Sequence, residues 1–381
     1  MAAFMEGKTA KRTFWGAAVF YFLIAFEFFY MASPFAIYFY SVYRPVLNYF
    51  NQSPELAWLA SFFMPHVAET SSVIINMHNI AGAVLAVLGF LAFCIGACQV
   101  YYYKLAGKGA VTGGVYNFIR HPQYASFIIC SFGLLLLWPR YIVLIMFITM
   151  LFAYYLLARA EERECEAKFG QPYIDYKNKT GMFLPLKMPF FERLTFLPKS
   201  RLLKSLALLI LYILTLSTVA GMARGLDSLT LNSLYAFYAS NSAYISMSKI
   251  QQNKLENIIK IASANEEVKI RLKKAGENQK TKFLNYVLPG AWYVPEIPMN
   301  GIDGVVRHSN PQNYDKNMYK VIFNKADIRA NQDVSGKDII SNVAKREPVV
   351  EVWIDVAEQK VVKIREMPEK IRYENIPVAV Y

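Results

Sequence analysis

Cysteine and histidine are scarce. The 381 residues hold four of each, and no cysteine lies beyond Cys165. That excludes a disulfide scaffold for the C-terminal half. Cys94 and Cys98 are one helical turn apart, but no third ligand is near in sequence, so the pair reads as packing. No zinc pattern, phosphate-binding loop or Gly-x-Ser-x-Gly elbow is present, and no metal is expected. His66 and His78 flank an apolar run and read as interfacial residues. His308 stands alone in "VVRHSNPQNY" and reads as a loop or surface histidine. Acidic residues are also few, 28 against 41 Lys and Arg, for a net charge of +13. The basic residues are spread out beside apolar runs and no recognition motif accompanies them, which excludes a nucleic-acid partner. There they set topology and meet anionic headgroups.

What is abundant is apolar sequence. Hydrophobic residues make up 55%, mean hydropathy is +0.23, and several runs nearly free of charge approach the roughly 20 residues that cross a bilayer. Five spans are predicted, over about 14–32, 77–103, 123–138, 141–158 and 203–223. The first follows Lys8, Lys11 and Arg12 and is too long for a cleaved signal core, so it reads as an anchor. It contains Glu27, an expensive charge if it faces lipid. The third and fourth form a hairpin turning at Trp138-Pro139-Arg140. Residues 33–76, aromatic and containing four prolines, read as interfacial or re-entrant.

Lys and Arg then orient the chain. Those before the first span, those between the second and third (Lys104, Lys108, Arg120), and the ten in 159–204 all fall on one side, the cytoplasm. Residues 225–381 fall on the other side. If 33–50 crossed as well, the count would be six and the C-terminal part would face the cytoplasm. The expected architecture is an α-helical integral membrane protein of about five transmembrane helices, 1–224, with an extracytoplasmic α+β domain, 225–381. The expected location is a bacterial inner membrane with the N-terminus inside. In the C-terminal domain, 245–284 is helical in pattern. Two β-patterned stretches follow, and the second is a hairpin in which Val350, Val352 and Ile354 alternate with polar residues. A long helix followed by a small antiparallel sheet resembles the extracytoplasmic PepSY or cystatin-like pattern.

Three pieces converge on the cytoplasmic face: "GGVYNFIRHPQY", "ARAEERECEAKFG" and "QPYIDYKNKTGMFLP". The first offers Gly113, Gly114, Tyr116, Arg120, His121 and Tyr124. Pro122 starts the helix at no cost, and backbone N–H groups there can receive an anion. Arg120 and His121 add donors for a carboxylate. Glu161 and Glu162 offer acceptors for an amine or a ribose. Tyr173 and Tyr176 offer aromatic faces for an adenine or a cation. Singly, each is commonly a topology marker or part of an interfacial aromatic belt. Together they match S-adenosylmethionine, which carries a carboxylate, an amine, a ribose, an adenine and a positive sulfur.

The stretch from Gly113 to Pro185 resembles the isoprenylcysteine carboxyl methyltransferase and phospholipid methyltransferase family. The shared pattern is Tyr116; Arg120-His121-Pro122-x-Tyr124; Gly133; Glu161-Glu162; Phe169-Gly170-x-x-Tyr173-x-x-Tyr176; and Leu184-Pro185. The resemblance implies a membrane methyltransferase using S-adenosylmethionine at the cytoplasmic face. It implies a lipid or other lipophilic or small acceptor, bearing a carboxylate, thiol or amine, that reaches the site from the bilayer. His121, Tyr124, Glu162 and Tyr173 would line the cofactor, with Tyr116, Glu161 and Tyr176 beside them and Arg120 in or next to the pocket. Glu162 and Arg120 are the candidate catalytic pair. The chain departs from the family in three places: Leu157 where an arginine is common, Gly114-Val115-Tyr116 for Gly-Pro-Tyr, and Ser126 for a glycine. A different class of reading is an inactive methyltransferase-like anchor that presents 225–381 to an outer protein partner.

Overall fold

The computed structural model describes residues 36–185 and 200–381, apart from 54, 108–109, 277–280, 303–304, 306, 330–332, 369–370, 372 and 374–376. The expected first span and Glu27 lie outside the described residues. The described chain forms two compact units. One comprises His78–Trp138 with Ile142–Met222, the other Ile37–Met77, Pro139–Tyr141 and Ala223–Tyr381.

The first unit is helical. Its helices are α2 (His78–Leu105), α3 (Pro122–Leu137), α4 (Tyr141–Phe169), α5 (Gln171–Lys179) and α6 (Arg201–Ser233), and both α4 and α6 also have residues in the other unit. Among the described residues three helices, over Val73–Tyr103, Tyr141–Phe169 and Leu202–Ser233, are long and apolar enough to cross a membrane, whereas Pro122–Leu137 is apolar but shorter. These helices and the C-terminal sheet make a membrane helical domain joined to an α+β domain. Pro122 opens α3 in its first turn. Trp138 N–H closes α3 on Leu134 O (2.9 Å), and Pro139, lacking a donor, cannot prolong it. Glycine decides how α2 meets α3. A Cβ on Gly133 would lie 2.3 Å from Ala86 N and 2.6 Å from Gly82 O, so the two backbones are in contact there. Helix α6 runs to Ser233, ten residues past the predicted end of the fifth span: "ARGLDSLTLNS" holds no proline, and its one glycine is tolerated inside the helix.

The second unit draws on more than the C-terminal part. Residues 37–77, most of them in the stretch read as interfacial or re-entrant, belong to it. These include most of α1 (Ala36–Gln52), where Asn51 Nδ2 donates to Ala344 O (2.9 Å) and Asn51 Oδ1 accepts from Arg329 Nη2 (2.8 Å). The hairpin turn joins it too. Arg140 is 1% exposed, donates to Ala60 O (2.9 Å) and Pro377 O (2.6 Å), and lies 4.5 Å over the Phe62 ring.

The sheet is larger than the sequence pattern suggested, and it is not wholly antiparallel. Six strands run in the order β1 (Ala236–Tyr238), β2 (Ser242–Ser246), β3 (Lys282–Pro289), β4 (Met318–Ile328), β5 (Val343–Asp355) and β6 (Lys360–Arg365). Only β2 and β3 pair in parallel. Parallel neighbours need a long crossover, supplied by α7 (Gln252–Ala264) and α8 (Glu266–Ala275). Asn265 separates these two helices, accepting from the amides of Glu267 and Val268 as an N-cap. The expected hairpin is β5–β6. Asp355 Oδ1 accepts from the amides of Ala357 and Glu358 in its turn. Period-two alternation fills both faces. Val350, Val352 and Ile354 pack with Leu255 and Ile258 of α7, while Leu284, Tyr286 and Ile322 pack on the other face with Ile339 and Ile340 of α9 (Asp338–Asn342).

Candidate functional site

The hairpin of α3 and α4 builds the site. Tyr124 and Tyr154 lie fifteen residues either side of Pro139. Antiparallel helices meeting at so tight a turn set such positions face to face. The two rings stack at 4.7 Å, and the His121 ring lies parallel to Tyr124 at 5.5 Å. Helix α4 continues past the predicted limit of 158, and that extension carries Glu161 and Glu162 to the level of His121. Gly170, at φ +61°, then breaks the chain sharply into α5. The return segment after α5 pairs with the segment before α3: Arg120 N–H donates to Gly181 O (2.9 Å) and His121 N–H to Met182 O (3.1 Å). Those two amides are therefore bound within the protein rather than offered to an anion.

Arg120 is 5% exposed and turns inward. Its Nε donates to Glu162 Oε1 at 2.6 Å, and its Nη1 donates to the carbonyls of Lys177 (2.8 Å) and Thr180. The guanidinium thus clamps α3, α4 and the end of α5 together. Glu162 is 1% exposed, with Lys177 Nζ 3.1 Å from its second oxygen. Both oxygens of this carboxylate thus face a cation, Arg120 on one side and Lys177 on the other. The adjacent Glu161 is different. Its side chain is half exposed, it accepts from the Tyr124 hydroxyl, and His121 Nδ1 lies 3.6 Å from it. Nε2 of His121 is buried and faces Glu162 Oε1 at 3.5 Å, beyond good hydrogen-bond length.

The remaining expected residues are present in the same cluster. Tyr116 is buried, and its carbonyl accepts from the Tyr176 hydroxyl (2.7 Å). Tyr173 is buried and lies 5.8 Å from Tyr176, ring to ring. Burial pushes the Tyr176 hydroxyl up to about 12, so it stays a neutral donor. Gly113 and Gly114 serve Gln99 of α2. Gln99 donates to Gly113 O and accepts from Val115 N (3.3 Å), and a Cβ on Gly114 would sit 2.6 Å from its side-chain nitrogen. Sequence reasoning missed Gln99, Tyr154 and Lys177. Tyr154 was findable from its symmetry with Tyr124 about the turn. Lys177 directly follows Tyr176, and Gln99 is the polar residue in the last turns of an apolar helix.

A family profile described as phospholipid methyltransferase matches residues 77–172. By that match residues 77–172 are similar to the phospholipid methyltransferase family. Over 76 residues the chain is 37% identical to the protein-S-isoprenylcysteine O-methyltransferase of Saccharomyces cerevisiae, covering 20% of this chain and 32% of the yeast protein. The chain thus spans about a third of the length of that curated relative. No solved structure matches it. The methyltransferase segment contains Tyr116, Arg120, His121, Tyr124, Glu161 and Glu162, and ends one residue before Tyr173. The six strands lie outside it.

Proposed function

We propose that the chain is an S-adenosylmethionine-dependent membrane methyltransferase with its site at the cytoplasmic ends of α3 and α4. The observation that carries this reading is the pairing of His121 with a half-exposed Glu161 beside stacked aromatic rings, held by the buried Arg120–Glu162 clamp. The donor set fits the cofactor. Glu161 and His121 offer one negative group and one imidazole whose Nε2 makes no hydrogen bond. Tyr124, Tyr173 and Tyr176 offer aromatic surface to an adenine or a sulfonium. The bound cofactor would supply a methyl group already activated by positive sulfur. The chain's task is alignment and exclusion of water, which positioning residues provide.

With Glu162 engaged by Arg120 and Lys177, the site lacks an obvious base there. That favours acceptors that attack already ionised, a thiolate or a carboxylate on a lipophilic molecule, over a protonated amine. Leu157 in place of the usual arginine leaves the acceptor side apolar. The topology reading has independent support. Residues 37–77, the hairpin turn at 139–141 and the C-terminal domain all fall on the outer side by charge, and all three pack into one unit. That unit would face outward and offers a surface to an outer protein partner.

The test is binding of S-adenosylmethionine by detergent-purified protein. His121→Ala is expected to abolish saturable binding while its circular dichroism and melting match the parent. Binding by the variant at parental affinity would overturn the assignment. Absence of binding in a folded parent would favour the anchor reading.

A further inference from the structure

Two of the chain's four histidines, distant in sequence, meet in the second unit. His66 Nε2 lies 3.8 Å from Glu296 Oε1, and His308 Nε2 lies 2.6 Å from Glu296 Oε2. The two imidazole rings are 5.5 Å apart at 62°, and one ligand atom from each of the three residues falls within 4.8 Å of the others. His66 and Glu296 are largely buried, with side chains 12% and 8% exposed, while His308 is 40% exposed.

Each of the three is set by main-chain bonds. His66 N–H donates to Tyr381 O (2.9 Å). Tyr293 and Ser309 exchange two backbone hydrogen bonds (2.8 and 2.9 Å), which fixes the neighbouring His308. Ile297 N–H donates to Val294 O (3.1 Å), closing the turn that presents Glu296. Such anchoring is what a coordination site requires of its supporting shell.

We infer that His66, Glu296 and His308 form a binding site for a divalent transition-metal ion of the zinc class, with a fourth coordination position left open. Two imidazole nitrogens and one carboxylate suit Zn²⁺, Co²⁺, Ni²⁺ or Cu²⁺ far better than Mg²⁺ or Ca²⁺, which prefer an all-oxygen shell. Ligand atoms about 2.1 Å from a tetrahedral ion stand roughly 3.4 Å from one another. The pairs at 3.8 and 2.6 Å straddle that value. Entry of an ion needs His308 and Glu296 to part by about 0.8 Å, a movement open to a half-exposed side chain. Three protein ligands leave the fourth position to water or to a ligand's oxygen. Glu296 also lines a cavity of ≈ 650 Å³ within the same unit. No motif along the chain points to this site, because the three residues share no local spacing.

The experiment is titration of tag-free, chelator-treated, full-length protein in detergent with Zn²⁺ by calorimetry. Co²⁺ serves as a visible-absorption probe. One ion per chain is expected, bound at least tenfold more weakly by His308→Ala and by Glu296→Gln. Because His308 is substantially exposed, its removal leaves the core intact, and circular dichroism confirms the fold. His121→Ala is expected to bind the ion like the parent, which separates this site from the methyltransferase site. No saturable binding of either ion to the folded parent, or parental affinity in His308→Ala and Glu296→Gln, would overturn the proposal.

Discussion

Replacing Arg120 tests the clamp at the heart of the site. Arg120 and Glu162 pair at 2.6 Å with side chains 3% and 1% exposed, so neither charge has water to fall back on. Removing one partner of a buried pair typically costs about 3–5 kcal/mol, mainly through the stranded charge. Here Lys177 remains 3.1 Å from Glu162 and compensates in part, which sets the ion-pair loss near the lower end. Arg120→Leu also strands the carbonyls of Lys177 and Thr180, at about 1 kcal/mol each. The expected loss is about 5 kcal/mol in denaturant unfolding followed by circular dichroism in micelles. Arg120→Lys should fall between, because one ammonium cannot span a carboxylate and two carbonyls. Arg120→Leu combined with Glu162→Leu should lose less than the sum of the singles by at least about 1 kcal/mol. A positioning role adds a signature: S-adenosylmethionine affinity should follow stability across the series and recover partly in Arg120→Lys. An unchanged Arg120→Leu stability, or a strictly additive double variant, would refute the clamp.

Two further outcomes follow from packing and burial. Lys320 is 1% exposed, and burial pulls its ammonium down to about 8, opposed by nearby Glu351. A depressed lysine leaves the unfolded chain binding more protons between about pH 8 and 10.4, so it costs stability at neutral pH and the cost fades as pH rises through that window. Lys320→Met should therefore gain about 2 kcal/mol at pH 7, with a smaller gain at pH 10. Equal melting of the two proteins at pH 7 would count against it. Gly133→Leu should drive α2 and α3 apart, because its Cβ would meet Ala86 N at 2.3 Å, and should lower both the melting temperature and cofactor affinity. A variant that melts like the parent would show that the two backbones do not need this contact.

Much of the site was legible because its residues sit in short blocks joined by one tight turn. The hairpin brings 116–124 and 161–176 together with no long-range information beyond Pro139. What the blocks could not show was the division of labour inside them. Glu161 and Glu162 are neighbours in sequence, yet a helix turns about 100° per residue. One carboxylate is therefore buried between Arg120 and Lys177 while the other stays half in solvent. Arg120, expected in or beside the pocket, lies ahead of α3, and its buried guanidinium pairs with Glu162.

Hydrophobic run length, basic flanks and motif spacing by themselves determined the apolar helices α2, α3, α4 and α6, the hairpin, the β5–β6 alternation and the methyltransferase segment. Each is a local property, read within one turn or one strand. Tertiary structure alone decided the rest. It moved 37–77 into the second unit and paired β2 with β3 in parallel across two helices. It also brought His66 to Glu296 and His308. Such contacts join residues tens to hundreds of positions apart. They arise from burying two faces of one sheet at once, and no periodicity along the chain encodes which distant side chains that burial brings together.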